Sequence, residues 1–585
     1  MINAHLPMRW IVSLSLVLAF SCATVPGLAQ DVLRPGDYQP VAEPREPASN
    51  RLPPELPRPD IEVPEGDKVL VDALVGVRFV PSQDQVRRTL DIEGVQTEQV
   101  PPLDTAEFRA GIEPHLRRPI TWNLIGDMVR QTILHYRGLD RPVVDVIVPE
   151  QDITNGVVQL LVIEGMVGEI GVTGNAHFTD EQIRGKVRLE PGDPIFPDRL
   201  ISDVNYINSN PFRFVRPVLS PGEEVGTTDV QLQTEDRRPW RVYYGFEDTG
   251  NSLTRRERHL FGFNCGNFLG REHEIGYQFA SEPNFSDIHV HSAYWRIPLP
   301  NRDKLSFFGY YADFDAFDDG LVAEVGTSWQ ISARYIHRMD NIGSYSQQLT
   351  GGFDFKRTNT NFTSGGVTVY DGVVDTTQFT LEYAGAMPDS MGETSFTWAG
   401  FWSPCGISSR ADGSDYEAAR TGADPAYAYT RLDVQRVWDL PEGFTFVNIL
   451  SGQLSTDRLL GTEQMGFGGF NSVRGYDLRE VNADQGLVFT LELRTPEYRL
   501  FQLEEDPNLD GMVQLLGFWD YGMACNRGNV AGEEKHSELQ GIGFGVNTRL
   551  GEYINVRFSY GWRLAEPGTD RHDIGRCHLG ILVAY

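Results

Sequence analysis

Residues 240–585 consist of short stretches in which apolar and polar positions alternate, separated by turns rich in Gly, Asp and Asn. Examples are "HEIGYQFAS", "KLSFFGYYAD" and "YINVRFSYGW". About sixteen stretches of about ten residues fit into this length, an even number and a length typical of membrane barrels. A soluble β-sandwich or propeller is the alternative. The pattern predicts an all-β, 16-stranded transmembrane β-barrel over residues 239–585.

The part of the chain before the barrel follows a mixed pattern that occurs twice. In residues 67–166 an apolar run, "KVLVDALVGVRFV", is followed by a helix capped by Thr121 and then by two strand-like runs, "PVVDVIV" and "GVVQLLVIEG". Residues 167–238 repeat this order with a helix that begins after Thr179. The sequence therefore predicts two small α+β domains in tandem, each with an open sheet edge.

The first residues carry the features of an export signal. An apolar run from Trp10 to Phe20 is followed by small residues that end at Ala29. This pattern predicts a signal peptide over 1–29, and the Pro-rich segment 30–66 is typical of an extended linker. A closed barrel in an outer membrane suits such an exported chain, because each strand amide then finds a partner.

Charge and motifs exclude several functions. The chain has 51 basic and 81 acidic residues, a formal charge of −30, which argues against nucleic acid as a partner. The sequence contains neither a phosphate-binding GxxxxGK loop nor a GxSxG elbow, and "HEIGY" lacks the second histidine of a zinc protease. We therefore predict no enzymatic activity and no cofactor.

One long loop carries residues that are unusual for a solvent-exposed connection. Strands counted from Trp240 place loop 454–484 between the eleventh and twelfth strands. Its length and its glycine content would let it fold back into a wide lumen. At its tip stand four consecutive residues that we take as a candidate motif: Val473, Arg474, Gly475 and Tyr476. An arginine in that place requires a carboxylate acceptor.

The thirteenth strand offers such an acceptor. In "VQLLGFWDYG" the apolar Trp519 and Tyr521 share one face, which leaves Phe518, Asp520 and Gly522 on the other. We therefore expect Asp520 to point into the lumen and to pair with the loop arginine. The alternative is that the arginine is an ordinary exposed loop residue.

The order of these motifs resembles a known family. "SVRGY" followed by "ADQG", "LELR" and "FWDYG" is similar to the signature of the Omp85 superfamily, and within it to the outer-membrane transporters of two-partner secretion, which export haemolysins and filamentous adhesins. The two α+β domains resemble its POTRA domains. The resemblance implies an Arg474–Asp520 interaction inside the barrel. The family commonly has Gly-Asp-x-Gly at 483–486, where this chain has "ADQG", and its members often begin with a plug helix where this chain is Pro-rich.

The resemblance also implies a function. POTRA 1 (67–166) and POTRA 2 (167–238) would lie in the periplasm and capture an unfolded adhesin- or haemolysin-type partner by adding one of its strands to a sheet edge. The barrel, surrounded by outer-membrane lipid, would pass the partner to the cell surface. The C-terminal Tyr585 would be recognised by the barrel-assembly machinery. An Omp85-type outer-membrane protein assembly factor is the alternative, whereas a passive porin would not need periplasmic domains.

Two weaker signals stay open. In "DPNLDG", Asp506, Asn508 and Asp510 match the first half of a calcium loop, but Gly517 stands where the bidentate Glu belongs, so an Asp- and Asn-rich periplasmic turn is favoured. Cys405 and Cys525 are expected in external loops, where they would form a disulfide or remain two thiols.

Overall fold

The computed structural model describes residues 66–139, 141, 144–224, 226–248, 250, 256–318, 322–364, 367–404, 407–503, 506–528, 530, 533–566 and 574–585. The predicted signal peptide, the linker up to 65 and Cys405 lie outside these residues. The chain divides into two compact units between Arg238 and Pro239. Within the described ranges, no helix combines the length and the apolarity needed to cross a membrane.

The first domain of the N-terminal unit is a four-stranded sheet packed against helices. The sheet order is Gly94–Gln96, Gly76–Val80, Val157–Glu164 and Val144–Ile147, with a separate pair formed by Val69–Val71 and Ile120–Thr121. The α-helices are Ala106–Ile112 and Trp122–Gly138, and the 3-10 helices are Gln83–Gln85, Pro101–Leu103 and Glu113–His115.

One predicted strand of this domain is divided into two. The run "KVLVDALVGVRFV" breaks because the backbone amides of Leu74 and Val75 donate to the carbonyls of Arg118 and Gly156 instead of to a neighbouring strand. The predicted helix cap is confirmed, since Thr121 Oγ1 accepts from the amide of the third helical residue at 3.1 Å.

The second domain is a three-stranded sheet in the order Met166–Thr173, Thr227–Asp236 and Arg213–Pro221. Its helices are Asp180–Arg184 and Pro197–Ile207. The cap at Thr179 forms the predicted capping box with Gln182. The predicted repeat of strand, helices, strand and strand is therefore present in both domains.

The C-terminal unit is a closed antiparallel barrel of 16 strands, as predicted. The twelfth strand consists of two segments, because both pair with successive parts of the thirteenth. In chain order the strands are Trp240–Glu247, Arg258–Phe268, His273–Ser281, Ile288–Pro298, Lys304–Asp318, Val322–Ile342, Tyr345–Ser364, Val367–Asp389, Gly392–Ser403, Tyr427–Asp439, Thr445–Ser455, Gln485–Arg494 with Tyr498–Leu503, Asp506–Cys525, His536–Leu550, Ile554–Arg563 and Gly575–Ala584. The connections add the helix Gly413–Ala419, the 3-10 helix Pro441–Gly443 and a small hairpin, Met465–Phe467 with Val481–Ala483.

Side chains alternate between the two faces of the barrel wall as the sequence pattern predicted. On the thirteenth strand Leu515 and Met523 are each 48% exposed, whereas Phe518 and Asp520 are 4% and 0% exposed. The first set faces away from the lumen and the second faces into it. The wall therefore presents apolar surface outside and polar side chains inside.

Two predictions about this strand are wrong. The segment Asp506–Gly511 is extended strand rather than a turn: Asp506 pairs with Leu503 of the preceding strand, and Gly511 pairs with both neighbouring strands. Extended backbone cannot wrap around an ion as a calcium loop does. Cys525 ends the strand instead of lying in a loop.

Candidate functional site

The connection between the eleventh and twelfth strands, 456–484, folds around its own small core. Its two arms pair as Met465–Phe467 with Val481–Ala483. Buried apolar side chains of this hairpin and of the tip pack against apolar side chains of the barrel wall. The loop contributes Met465, Phe467, Val473, Tyr476 and Ala483, and the wall contributes Val488, Ala524 and Leu539. We call 456–484 the lumen loop, since this core lies on the inward face of the wall.

Arg474, at the tip of the lumen loop, binds two carboxylates of the wall. Its Nε and Nη2 donate to the two carboxylate oxygens of Asp520 at 2.8 and 2.9 Å, and its backbone amide donates to the same carboxylate at 3.0 Å. Its Nη1 donates to Glu492 at 2.6 Å. Arg474 is 5% exposed, so these bonds are sheltered from bulk water. The structure thus brings together the two residues that strand alternation and the loop motif had singled out.

Two wall residues complete the arginine site. The guanidinium carbon of Arg474 lies 3.5 Å from the ring centroid of Phe518, which is a cation–π contact. Glu492 of the twelfth strand was missed by the sequence reasoning. It lies between the outward residues Leu491 and Leu493 in "LELR", so alternation alone would have placed it on the lumen face.

Glycines let the tip approach the wall closely. A Cβ added to Gly561 would lie 2.6 Å from the amide nitrogen of Gly475 and 2.8 Å from the carbonyl oxygen of Arg474. A Cβ at Gly541 would overlap that same carbonyl oxygen. Gly475 itself has a φ of +102°, a backbone conformation that residues other than glycine rarely adopt. The main chain of the tip therefore lies directly on the fourteenth and fifteenth strands.

Val473 contacts the thirteenth strand in the same manner. It is fully buried, and a Cβ on Gly522 would lie 2.8 Å from its Cγ2 atom and 3.2 Å from the ring of Phe467. Gly522 thus makes room for an apolar side chain of the tip. The three wall residues proposed from the sequence, Phe518, Asp520 and Gly522, all face the lumen loop.

Tyr476 is held by the fourteenth and fifteenth strands. Its hydroxyl donates to the carbonyl of Gln540 at 3.0 Å, and its ring lies 4.7 Å from the guanidinium carbon of Arg563. Arg563 also donates to the carbonyl of Gly475 at 2.8 Å and to both oxygens of Glu480 at 2.9 Å. A second arginine, supplied here by the wall, therefore binds the tip from the other side.

The loop also reaches the strands at which the barrel closes. Asp477 of the loop pairs with Arg576 of the last strand, which also binds Asp248 beyond the first strand at 2.7 Å. The amide of Gly475 donates to Nε2 of His578 at 3.3 Å. The tip is thus bonded to the last strand, and Arg576 connects it to Asp248 beyond the first strand.

Asp484, the aspartate of "ADQG", ties the base of the lumen loop to two other connections. It is fully buried, and its carboxylate accepts from the amides of Leu459 and Arg527 at 2.9 Å each. Arg420, from the connection between the ninth and tenth strands, pairs with Asp484 and lies 2.6 Å from Glu533, which belongs to the connection between the thirteenth and fourteenth.

Arg458 of the lumen loop binds Glu533 as well. We call Arg420, Arg458, Asp484 and Glu533 the external clasp. Burial alone would raise the pKa of Glu533, but the two arginines outweigh it and hold the pKa below its usual range. The clasp therefore joins three connections on one side of the barrel through ionised groups.

The sheet edges of the two N-terminal domains differ. Val215 on the edge strand Arg213–Pro221 has its amide and carbonyl bonded to the side chain of Asn208, at 2.7 and 2.9 Å, so this position points away from the sheet. Every second residue shares that direction. Pro217 and Pro221 therefore occupy outward positions where they offer no N–H.

The edge of the first domain carries no such obstruction. Val144–Ile147 contains no proline, and among the described residues it pairs only with Val157–Glu164. Asp145 and Ile147 are exposed. This edge is open to an added strand.

The C-terminal residue takes part in closing the barrel. The amide of Tyr585 donates to the carbonyl of Val242 at 2.9 Å, and the amide of Val242 donates back at 3.1 Å. The side chain of Tyr585 is 70% exposed.

The remaining candidates are not brought together. No group of three or more described His, Cys, Asp or Glu residues could hold a metal ion, and the side chains of Asp506 and Asn508 lie outside the described part of the chain. Cys405 is not described, so the choice between a disulfide with Cys525 and two thiols stays open.

Comparisons with known proteins bear on the family and the fold of the chain. The profile of the family described as haemolysin secretion/activation protein ShlB/FhaC/HecB matches residues 226–548, and the POTRA profile, described as surface antigen variable number repeat, matches 166–235. The chain is 21% identical over 489 residues to the heme/hemopexin transporter protein HuxB of Haemophilus influenzae strain 86-028NP, covering 77% of this chain and 80% of that protein. It is 20% identical over 440 residues to the outer membrane transporter CdiB of Dickeya dadantii strain 3937, covering 72% and 73%.

A solved structure resembles the chain over nearly its whole length. CdiB from Escherichia coli superposes with a TM-score of 0.70 at 17% identity, covering 92% of this chain and 93% of that one. At this level of identity the similarity supports the fold.

Proposed function

The chain belongs to the haemolysin secretion/activation protein family ShlB/FhaC/HecB, and we propose that it captures an unfolded exported protein in the periplasm and passes it through the barrel. It is an outer-membrane protein of two-partner secretion, with POTRA domains in the periplasm. The observation that carries the proposal is the combination of an open periplasmic sheet edge with a barrel whose lumen holds a bonded loop. Members of the family are transporters, and we propose transport without catalysis or a cofactor.

Capture would use the open edge of the first domain. Strand addition relies on main-chain hydrogen bonds and therefore accepts varied sequences. Val144–Ile147 offers such bonds, whereas the edge Arg213–Pro221 is interrupted by its prolines. We propose that the first domain takes the partner strand, and that the partner is of the adhesin or haemolysin type.

The driving force would be folding of the partner outside the cell, since no nucleotide-binding motif occurs in the sequence. Lipid would contact the outward apolar face of the strands, and the barrel-assembly machinery would insert the protein. The supporting observation for insertion is the exposed aromatic side chain at the C-terminus.

Deletion of 68–236 tests the division of labour between the two units. The truncated barrel should still insert, because its strands close on themselves, but export of the partner should be lost. Barrel insertion is measured by heat-modifiable migration on gels and export by the amount of partner in the medium. Export at the full rate would contradict the capture role.

A crosslinking experiment tests which edge is used. A photoreactive residue is introduced at Ile147 or, as a control of similar exposure, at Leu219; the native side chains are 39% and 45% exposed. The partner should crosslink at the first position and not at the second. Equal yields would show that the proline-containing edge also accepts a strand.

A further inference from the structure

A second buried ion pair holds the lumen loop at a different part of the wall. Lys356 of the seventh strand places its ammonium 2.8 and 2.9 Å from the two carboxylate oxygens of Glu463, on the first arm of the loop. The hydroxyl of Tyr429, on the tenth strand, donates to the same carboxylate at 2.7 Å. Glu463 is 0% exposed and Lys356 is 7% exposed, so water does not replace these bonds.

The backbone of the same residue is bonded too. The carbonyl oxygen of Glu463 accepts from Nη2 of Arg431 at 3.1 Å and from Nε2 of Gln453 at 3.2 Å. The side chain and main chain of this single residue are thereby fixed by the seventh, tenth and eleventh strands. This concentration of bonds distinguishes Glu463 from an ordinary loop carboxylate.

The position of this anchor relative to the tip is set by the order of the strands. Lys356 lies on the seventh strand, and Arg563 and Gly561, which contact the tip, lie on the fifteenth. In a closed ring of 16 strands, the seventh and the fifteenth are on opposite walls. The loop is therefore attached to two opposite walls and crosses the lumen between them.

We propose that Glu463 is a second positioning residue of the lumen loop, which together with Lys356 fixes the loop across the lumen and keeps the resting barrel closed to ions. Both anchors, the Arg474 site at the tip and the Glu463–Lys356 pair, are needed for closure. A loop that is attached to only one of the two walls can move out of the lumen's centre. The proposal rests on the proposed transport function in one respect, namely that the barrel lumen, which the loop crosses, is the path of passage.

Substitution of either partner should release this arm from the seventh strand. In Glu463→Gln the ammonium of Lys356 would remain buried beside a neutral amide, a situation that burial penalises strongly. Lys356→Met would leave the carboxylate of Glu463 buried without a positively charged partner. Both changes leave every contact of Arg474 in place.

The measurement is the conductance of the purified full-length protein in planar lipid bilayers at neutral pH, with no partner added. We expect openings to be about tenfold or more frequent in Glu463→Gln and in Lys356→Met than in the wild type. The double variant should open no more often than either single one, since all three lose the same interaction. Heat-modifiable migration verifies that each variant is a folded barrel.

Asp354→Asn is the matched control. Asp354 lies on the same strand as Lys356 and is 2% exposed, but it pairs with Arg334 of the neighbouring strand instead of the loop. Its substitution should leave the frequency of openings unchanged. The control thus compares the loss of an ion pair between wall and loop, Lys356–Glu463, with the loss of an ion pair within the wall, Arg334–Asp354.

Three results would overturn the proposal: closed behaviour of both single variants, equal opening of the Asp354→Asn control, or additive effects in the double variant. Conductance is recorded without partner, so failure here leaves capture and export untouched. Full export by the truncated barrel, in contrast, would refute capture by the POTRA domains and leave this inference standing.

Discussion

Arg474 makes bonds in three directions, and this geometry requires a guanidinium. Two of its nitrogens match the two oxygens of Asp520, a third binds Glu492, and its plane lies over Phe518. An ammonium group on a flexible stem cannot make the paired bonds and the ring contact together. The site is therefore selective for arginine over lysine.

Arg474→Ala should reduce export much more than the amount of barrel in the membrane. The change leaves Asp520 buried without its partner, a loss on the order of 3 kcal/mol for a sheltered pair. Asp520→Ala should give the same phenotype, and the double variant should be little worse than either. Export is measured per folded barrel by quantifying the partner in the medium.

The matched control for this cycle is Arg494→Ala. Arg494 also binds Glu492, at 2.6 Å, but its side chain is 36% exposed and it makes no contact with Asp520. Because Arg494 is accessible to water and Glu492 keeps its bond to Arg474, loss of this pair should cost little and export should remain nearly normal. Strictly additive losses in the double variant, or normal export by Arg474→Ala, would show that the Arg474–Asp520 pair is not required for export.

Gly561→Ala should loosen the tip by steric overlap, without removing any hydrogen bond donor or charge. The added methyl would lie 2.6 Å from the amide nitrogen of Gly475, and backbone atoms cannot move aside as flexible side chains do. Such overpacking costs about 1–3 kcal/mol. Gly351→Ala, on the seventh strand, has no atom within 4 Å of the new methyl and serves as the control. Reduced export in the first variant and normal export in the second is the expected result, and equal export would contradict it.

At the level of elements, the external clasp joins three connections through ionised side chains and should respond to pH. The pKa of Glu533 is lowered in the folded protein, so its stabilising effect is present above the pKa of the unfolded chain. This stabilising effect is lost as the pH falls through the lowered pKa that Glu533 has in the folded protein. Openings in planar bilayers should therefore become more frequent as the pH is lowered below the usual range of a glutamate carboxyl.

Glu533→Gln tests the assignment of this pH dependence. The variant should open more often at neutral pH, because Arg420 and Arg458 lose a charged acceptor. When the pH is lowered, its frequency of openings should also rise less than that of the wild type. Identical pH profiles for the wild type and the variant would mean that another group controls the response.

The elements also show which features a sequence can predict. Alternation has a strict period of two, so Asp520 could be placed on the lumen face from its strand alone, and Glu492 could have been placed there by the same argument. The partners Arg563 and Arg576 could not be found in this way, because their contacts with the loop depend on how distant strands are ordered in the closed ring. For Asp506–Gly511, local composition favoured a turn, but strand pairing at both ends of the segment prevailed.

At the level of the whole molecule, closure of the barrel depends on the pairing of its first and last strands. Five residue pairs, Tyr243 with Ala584 through Glu247 with Gly580, form this junction. The reciprocal bonds between Val242 and Tyr585 extend it by one step. The backbone of Tyr585 is thus engaged in closure while its side chain is exposed.

Substitution of Tyr585 separates these two roles. Tyr585→Asp keeps the backbone bonds but places a charge where an aromatic ring ends an outward apolar face, so we expect less barrel in the membrane and unchanged export per inserted barrel. Tyr585→Phe keeps the ring and should insert normally. Barrel abundance is measured by heat-modifiable migration of membrane fractions, and export by the partner in the medium. Normal abundance with defective export in Tyr585→Asp would show that the side chain acts in transport instead of assembly.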